Sequence, residues 1–433
     1  MLTGSLTAQK KLAYADALAR ALEENLDIQI AEADERIAET NANLGNAGFL
    51  PNVEARGSFD RSVVDQTQEI ATDGSNQPAG PQEFPDAQST NYNASLTANY
   101  VLFDGLGRLN NWQRLQLQEE LSTIQTQFTI ENVLLEVSSR FFAAAQAQRL
   151  VTINRQSVKL SLERYERAQV AGDLGTASNL QELDALVDLR EDSVRLLNSR
   201  VDFFNKRREL NQLLNFPVDT AYPLDTTLTF NRSLQFGALR EEALQNNRAL
   251  VQAQLNKELA EKQINIAWSE RLPQISASGG YTYTRQENEG GFLRFTETEG
   301  WQYGLSAQWN IFNSYRTQTE IEAARIRVFQ NDLSLEQTRL ELLGDLSESW
   351  LDYENQFRIY RLQARNLKVA RQRFKRAQEA YRLGQINSLE LRDAQLSYIR
   401  AEAELSQLAY NSKLAEIELQ RVAGRLIEVR EQL

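Results

Sequence analysis

Cysteine and histidine are both absent from the 433-residue chain. Their absence excludes disulfides, thiol chemistry, zinc sites built from these ligands and acid–base catalysis by an imidazole. The sequence also contains neither a G-x-S-x-G nucleophile motif nor a G-x-x-x-x-G-K-[ST] phosphate loop. We therefore predict that the protein is not an enzyme, and we expect neither a metal nor another cofactor.

Long hydrophobic runs are absent as well, and the mean hydropathy is -0.50. No stretch approaches the ~18 consecutive apolar residues of a membrane-spanning helix, so any contact with lipid would have to use strands. The formal net charge of -12 argues against binding to nucleic acid. The first residues lack the apolar core of a signal peptide. That leaves two interpretations, a cytoplasmic protein or the mature form of an exported one.

Proline and glycine are scarce, with 7 and 20 residues, and the segments between them favour long helices. We predict helices over about 107–171 and 316–382. Each is followed, after a short turn, by another helix, over 179–214 and 388–424 respectively. At ~1.5 Å per residue the first would extend roughly 95 Å, which suits coiled-coil packing better than a globular core. A shorter helix is predicted from Tyr14 to Ala47.

A second pattern, with a period of two residues, predicts strands. In Gly300–Phe312 apolar and aromatic residues alternate with small or polar ones, so a strand here would have one apolar and one polar face. The same alternation predicts three further strands, at about 52–64, 91–103 and 274–285. Within each strand pair we predict a polar loop, at 67–89 and 285–299. Because strands of a soluble sandwich alternate too, one strand alone does not decide between water and lipid.

The whole arrangement occurs twice along the chain. Leu50-Pro51 and Leu272-Pro273 precede the first strand of each half, at an offset of 222 residues. Proline disfavours helix in the residue before it, so it marks the entry into the strand. The predicted organisation is a first structural repeat (13–214, turn 172–178), a linker (215–237), a second repeat (238–424, turn 383–387) and a C-terminal tail (425–433).

Four strands with apolar faces, joined to helices far longer than a compact core needs, favour a membrane barrel over a soluble sandwich. The smallest membrane barrels have ~8 strands, and an open sheet edge cannot face lipid. The strands would therefore have to close into a barrel across several chains.

On these residues the chain resembles the TolC family of trimeric outer-membrane efflux and secretion ducts. The Leu-Pro strand entries, the strand exit Leu102-Phe103-Asp104-Gly105 and above all Ala380–Gln395 (AYRLGQINSLELRDAQ) are similar to family motifs. The resemblance implies a mainly α fold with a membrane β-barrel. Three chains would supply twelve strands to one barrel and twelve helices to a tunnel, or α-barrel, in the periplasm.

The resemblance also implies a function, that of an outer-membrane exit duct in a tripartite efflux or type I secretion system, gated at its periplasmic tips. The signal peptide would then have been removed. The implied partners are two further copies of the chain, a periplasmic adaptor (membrane fusion) protein, outer-membrane lipid, and an inner-membrane pump of the RND, ABC or MFS type. Two alternatives remain, a structural coiled-coil protein without a channel and a soluble adaptor of the pump. The exported cargo is left open.

By the same resemblance, Glu390 and Asp393 match an acidic ring at the tunnel entrance, and Tyr381 matches a tyrosine that latches the closed gate. Two acids in a first helical turn would be favourable without any ring, however. The charged latch of the family falls on Ile386 and Gln181 here and is missing. We therefore expect Arg382 or Arg392, with neighbouring acids, to support the closed gate.

Two further sets of residues belong to this expectation. The adaptor would contact the tips at Gly172, Leu174, Gly175, Leu383 and Gly384. Aromatic side chains sit well at the level of the lipid headgroups, and the lipid-facing belt would consist of Tyr92, Tyr100, Tyr281, Tyr283, Trp301, Tyr303 and Trp309. The barrel would be lined by the polar faces, namely Asn91, Asn93, Ser95, Thr97, Asn99, Gln302, Ser306, Gln308 and Asn310.

Overall fold

Helices and strands follow one another in the same order twice along the chain. The computed structural model describes residues 11–68, 81–174, 178–289 and 293–427. In each half two helices precede two strands, and two helices then follow. The first half consists of α1 (Tyr14–Glu24), α2 (Leu26–Asn41), β1 (Asn52–Gln68), β2 (Gln82–Phe103), α3 (Gly107–Asp173) and α4 (Asn179–Leu213). The second consists of α5 (Phe236–Asn246), α6 (Arg248–Ser269), β3 (Gln274–Asn288), β4 (Phe295–Gln308), α7 (Arg316–Arg382) and α8 (Ser388–Val422).

A single asparagine divides the first helix pair of each half. Asn25 separates α1 from α2, so the prediction of one helix from Tyr14 to Ala47 is wrong. Its Oδ1 accepts hydrogen bonds from two amides in the first turn of α2, and its Nδ2 donates to the carbonyl at the end of α4. Asn247 caps α6 and donates to the end of α8 in the same way. The side chain replaces backbone hydrogen bonds, which makes a helix break favourable at both positions.

The chain forms two compact units, and each combines segments of both halves. The first contains the described residues of Met1–Arg36, Leu121–Leu255 and Leu333–Leu433 and is helical. Its largest buried side chains include Phe141, Phe142, Leu210, Leu346 and Leu419. Among the described residues, no helix is both long enough and apolar enough to cross a membrane.

The second unit, the described residues of Ile37–Glu120 and Asn256–Asp332, contains the sheet. Its strands lie in the order β1-β2-β3-β4 and all neighbours are antiparallel. β1 and β2 pair as far as Gln68 and Gln82, so much of the predicted loop 67–89 is strand, although residues 69–80 lie outside the described part. Near Gln68 and Gln82 the side chains of this ladder are mostly polar. Ladder hydrogen bonds join backbone groups and do not require apolar side chains.

The register places the alternating residues of the four strands on two common faces. Tyr281 lies opposite Leu96 on one side and Trp301 on the other, so these three side chains share a face. The same face carries the other predicted belt residues of the strands, Tyr92, Tyr100, Tyr283 and Tyr303. Trp309 and Asn310 lie beyond the end of β4, which covers Phe295–Gln308 and not 300–312 as predicted.

Glu131 is one of the carboxyl groups that are buried in the helical first unit. Glu131 of α3 is 2% exposed, and its Oε1 lies 3.7 Å from Nε of Arg248 on α6. Neither of these two atoms makes a hydrogen bond within the described residues. Burial raises the pKa of Glu131 to about 7, against the opposing effect of Arg248 and Arg421.

We expect the stability of the chain to fall as the pH rises from about 5 to 8. Because the pKa of Glu131 is raised in the folded state, its contribution is present at low pH and is lost as the pH rises through about 7. A shift of this size corresponds to at most about 3 kcal/mol. The measurement is chemical unfolding against pH for the wild type, Glu131→Gln and the exposed control Glu136→Gln. Glu131→Gln should lack the loss, and a pH dependence equal to that of the wild type would disprove the assignment.

Candidate functional site

The turn between α7 and α8 begins with a Schellman motif. The amide of Gln385 donates to the carbonyl of Ala380 at 2.9 Å, and the amide of Gly384 donates to Tyr381 at 3.1 Å. Gly384 has a φ of 69°, which glycine adopts without the steric cost that a side chain would bring. The sequence Tyr-x-x-Gly therefore ends α7 sharply and turns the chain back toward α8.

α8 then begins with a capping box that uses one of the predicted gate acids. Asn387 Oδ1 accepts a hydrogen bond from the amide of Glu390, and the Glu390 carboxylate accepts one from the amide of Asn387 at 3.0 Å. Glu390 is exposed. Its structural role as a cap therefore exists in the single chain, independently of any acidic ring.

The second predicted gate acid also has a partner. Oδ2 of Asp393 lies 2.6 Å from Nη2 of Arg373 on α7, and both side chains are more than half exposed. Arg373 also donates to Ser397 Oγ at 3.2 Å. Glu390 and Asp393 thus lie in the first turns of α8, each with a defined contact and each open to solvent.

Tyr381 belongs to an apolar cluster beside the turn. The buried members of this cluster include Phe374 and Tyr398, whose rings stack at a centroid distance of 5.6 Å. Tyr381 and Ile386 pack against the cluster as half-buried residues. Ile386, one of the two positions that match the charged latch of the family, therefore contributes apolar packing between α7 and α8.

Arg392 of α8 joins three helices through a buried ion-pair cluster. Its guanidinium donates to both carboxylate oxygens of Asp192 on α4, at 2.8 and 3.1 Å. Its Nε lies 3.4 Å from Asp188 of α4, which also accepts a hydrogen bond from Arg164 of α3 at 2.5 Å. Further hydrogen bonds to the carboxylate of Asp192 come from Ser157, Ser161 and Arg195.

The cluster is charged although it is buried. Burial by itself would raise the pKa of Asp192, but hydrogen bonds from Arg392, Ser161 and Arg195 outweigh it and hold this pKa well below its ordinary value. Burial likewise opposes the charge of Arg392, and pairing with Asp192 still raises the pKa of this guanidinium. Removing one partner of such a pair costs about 3–5 kcal/mol, because the other charge is left buried and unpaired.

The remaining predicted tip residues lie at the surface or inside a helix. Leu174, Gln181, Arg382 and Leu383 are exposed. Gly172 is not part of the first turn as predicted, because α3 continues to Asp173. Gly175 lies outside the described residues. Of the two arginines expected to support the gate, Arg392 has the buried acidic partners.

The sequence analysis missed the acidic partners of Arg392. Asp188 and Asp192 are four residues apart on α4, as are Ser157 and Ser161 on α3, so each pair shares one helix face. Buried apolar positions flank them, with Ile153 before the serines and Leu196 after the aspartates. Polar residues at core positions of a predicted coiled coil were therefore the available signal.

Comparison with known proteins identifies the family. The model of the family described as outer membrane efflux protein matches residues 17–215 and 239–425. Cation efflux system protein CusC from Escherichia coli O157:H7 is 23% identical over 412 residues, covering 92% of this chain and 86% of that protein. Outer membrane protein TolC from Escherichia coli K12 is 20% identical over 362 residues, covering 80% and 72%.

A solved structure shares the fold of this chain. A solved membrane protein from Pseudomonas aeruginosa matches with a TM-score of 0.76, covering 96% of this chain and 91% of that chain at 16% identity. The family model and the curated relatives confirm the predicted resemblance to the TolC family. With a family model that matches most of its length, this chain belongs to the outer membrane efflux protein family, whose members are transport channels and not enzymes.

Proposed function

We propose that the protein is the outer-membrane exit duct of a tripartite efflux or type I secretion system, gated at its helix turns. Family membership supports the general role of an outer-membrane efflux channel. The observation that supports the proposed gate is the Arg392–Asp192 pair. It links α8, in the hairpin of α7 and α8, to α4, in the hairpin of α3 and α4. A gate between two hairpins requires a link of this kind, one that can be broken without unfolding either hairpin.

The sheet supports assembly from several copies. β1 and β4 are the outer strands of the described sheet, so each presents an edge with backbone groups for a further strand. One face of the sheet carries the aromatic belt residues, and an open edge is not tolerated in lipid. In the proposed trimer, twelve strands close one barrel, with the belt toward lipid and the polar face toward the lumen.

The helices carry a second feature that suits self-association. Large apolar side chains that are more than half exposed form a stripe on α4 with heptad spacing: Leu180, Leu183, Val187, Val194, Leu197 and Val201. A comparable exposed stripe on α7 includes Ile326, Phe329, Leu333, Leu340 and Leu351. Such seams bury their side chains against another helix. We assign these two stripes to contacts between copies in a twelve-helix tunnel.

We expect the purified chain to require detergent and to form a trimer that Leu197→Glu combined with Val201→Glu converts to monomer. Each substitution would place a charge in the apolar seam, where its burial is unfavourable. Light scattering coupled to size-exclusion chromatography gives the mass. The control Asn198→Glu adds a charge at an exposed position next to the stripe and should leave the trimer intact. A monomer without detergent in the wild type would instead favour the alternative, a structural coiled-coil protein without a channel.

The proposed latch predicts that Arg392→Leu opens the gate. Without the guanidinium, α8 loses its buried link to α4, so the single-channel conductance in planar bilayers should rise several-fold. The double variant Arg392→Leu with Asp192→Leu should also conduct more, although it leaves neither member of the pair buried and unpaired. It therefore separates loss of the link from general destabilisation.

The matched control for the latch is Arg140→Leu, which removes a partly exposed ion pair to Glu209 between α3 and α4. Exposed pairs contribute only about 0.2–1 kcal/mol, so its conductance should equal that of the wild type. If Arg392→Leu and the charge reversal Arg392→Glu both show wild-type conductance, Arg392 does not act as a latch.

Glu390 and Asp393 are proposed to form an acidic ring when threefold symmetry brings three copies together. Glu390→Gln with Asp393→Asn should lower the preference of the channel for cations over anions and weaken its dependence on ionic strength. Glutamine at the third position of α8 preserves the capping box, so the first substitution changes charge and not the turn. Reversal potentials in a salt gradient give the permeability ratio.

The control for the ring is Glu404→Gln, an exposed acid farther along α8. It should leave the permeability ratio unchanged. An equal change in Glu404→Gln and in the ring variant would assign the selectivity to the overall charge of the helix and not to the ring.

The helix turns are the proposed contact with the adaptor, which would connect the duct to an inner-membrane pump. Leu174 and Leu383 are 73% and 72% exposed, so each turn presents an apolar side chain that a helical hairpin can cover. Gly384 leaves space for a close approach, because no atom lies within 4 Å of a Cβ placed there. In this proposal the pump selects the cargo, and the duct provides a passage with a polar wall.

A further inference from the structure

Arg164 of α3 is a buried guanidinium with unused donors. It is 4% exposed, and its Nη2 donates to Asp188. Asp188 is shared, since Nε of Arg392 lies 3.4 Å from its other oxygen. Nε and Nη1 of Arg164 are buried and make no hydrogen bond within the described residues. Buried donors without acceptors are unfavourable, so this arrangement calls for further acceptor atoms beside Arg164.

A second unused donor lies on the same groove. Gln395 of α8 is 1% exposed, and its Nε2 is also buried without a hydrogen bond within the described residues. Arg164 and Gln395 both line a groove of about 430 Å³ between α3, α7 and α8. Its apolar lining comes from Leu160, Phe374 and Leu391. Two residues from different helices, each with a buried unused donor, therefore line one partly apolar groove.

The surroundings of the groove favour negative charge. Besides Arg164, its lining contains three basic residues and two acidic ones: Arg167, Lys375, Arg382, Glu163 and Glu379. The stretch of α7 from 355 to 378 has eight basic residues and no acidic one, in a chain with a net charge of -12. Those basic residues are Arg358, Arg361, Arg365, Lys368, Arg371, Arg373, Lys375 and Arg376. A local excess of this size produces a positive potential that concentrates anions.

We propose that this groove binds a small oxyanion, a phosphate or a carboxylate, held by Arg164 and Gln395. Both anions present several acceptor lone pairs, and an ionised carboxylate has no donor at all, which matches N–H groups that come from separate atoms and separate helices. The bound anion connects α3 to α8 next to the Arg392–Asp192 pair. This site requires neither the trimer nor the gate, so it stands independently of the proposed function.

The test titrates inorganic phosphate into the full chain in detergent, with chloride at equal ionic strength as the reference. Hydrogen exchange of the α8 amides reports local opening. At a phosphate concentration ten times the dissociation constant, opening should become about 10-fold rarer and exchange about 10-fold slower. Acetate in place of phosphate tests the carboxylate form of the ligand, and slowing by either anion supports the site.

Three variants make the test specific. Gln395→Leu removes one donor without changing the charge, and Arg164→Gln removes the guanidinium, so both should abolish the slowing. Arg358→Gln removes a basic residue of the same α7 stretch outside the groove and should keep it. Equal slowing by chloride would show charge screening only and would overturn the proposal. Slowing that persists in Gln395→Leu would overturn it too, even if Arg164→Gln did not fold.

Discussion

Continuous side-chain packing along helices of 67 residues is the constraint on which this fold depends. Backbone hydrogen bonds alone stabilise an isolated helix only marginally, so α3 and α7 need neighbours along their length. Within the helical unit, α1, α4 and α8 cover α3 around Phe141 and Phe142, while α5 and α8 cover α7 around Leu346. The exposed stripes on α4 and α7 extend the same requirement beyond one chain, which is why the proposed trimer follows from the packing as much as from the family.

Polar groups inside this apolar packing mark the places where the chain does more than hold itself together. Glu131 is buried with a raised pKa, and Asp192 is buried with a lowered one, because only Asp192 receives several hydrogen bonds. The first arrangement makes stability depend on pH near neutrality. The second fixes the position of Arg392 and with it the approach of α8 to α4. Arg164 combines both features, because its Nη2 is paired with Asp188 while its buried Nε and Nη1 make no hydrogen bond within the described residues.

The duplication explains much of the architecture but not the Arg392–Asp192 ion pair. Asn25 and Asn247 break and cap the first helix pair of each half in the same way, as expected when the local sequence recurs. At the offset of 209 residues that aligns Leu174-Gly175 with Leu383-Gly384, however, the counterpart of Arg392 is Leu183, an exposed residue of α4. The two halves therefore differ in sequence at this site, and the Arg392–Asp192 link depends on that difference.

The types of element and their order could be predicted from the sequence, because helix and strand periodicity are local properties of the chain. The long helices, the paired strands and the two helix turns near Leu174 and Gly384 were all predicted in this way. The break within the first predicted helix and the exact ends of the strands could not be predicted from local periodicity. Asn25 divides a helix through a hydrogen bond to the end of α4, and β2 begins at Gln82 because a neighbouring strand pairs with it.

The ion-pair partner and the burial of Arg392 became known only from the tertiary structure. From the sequence, Arg382 and Arg392 were equivalent candidates, because they have the same charge and lie only ten positions apart. The partner of Arg392 lies 200 residues away, on a helix whose rotation about its axis is set by the packing of its whole length. Burial then separates the two arginines. Arg382 is exposed to solvent, whereas Arg392 is desolvated and bound to Asp192.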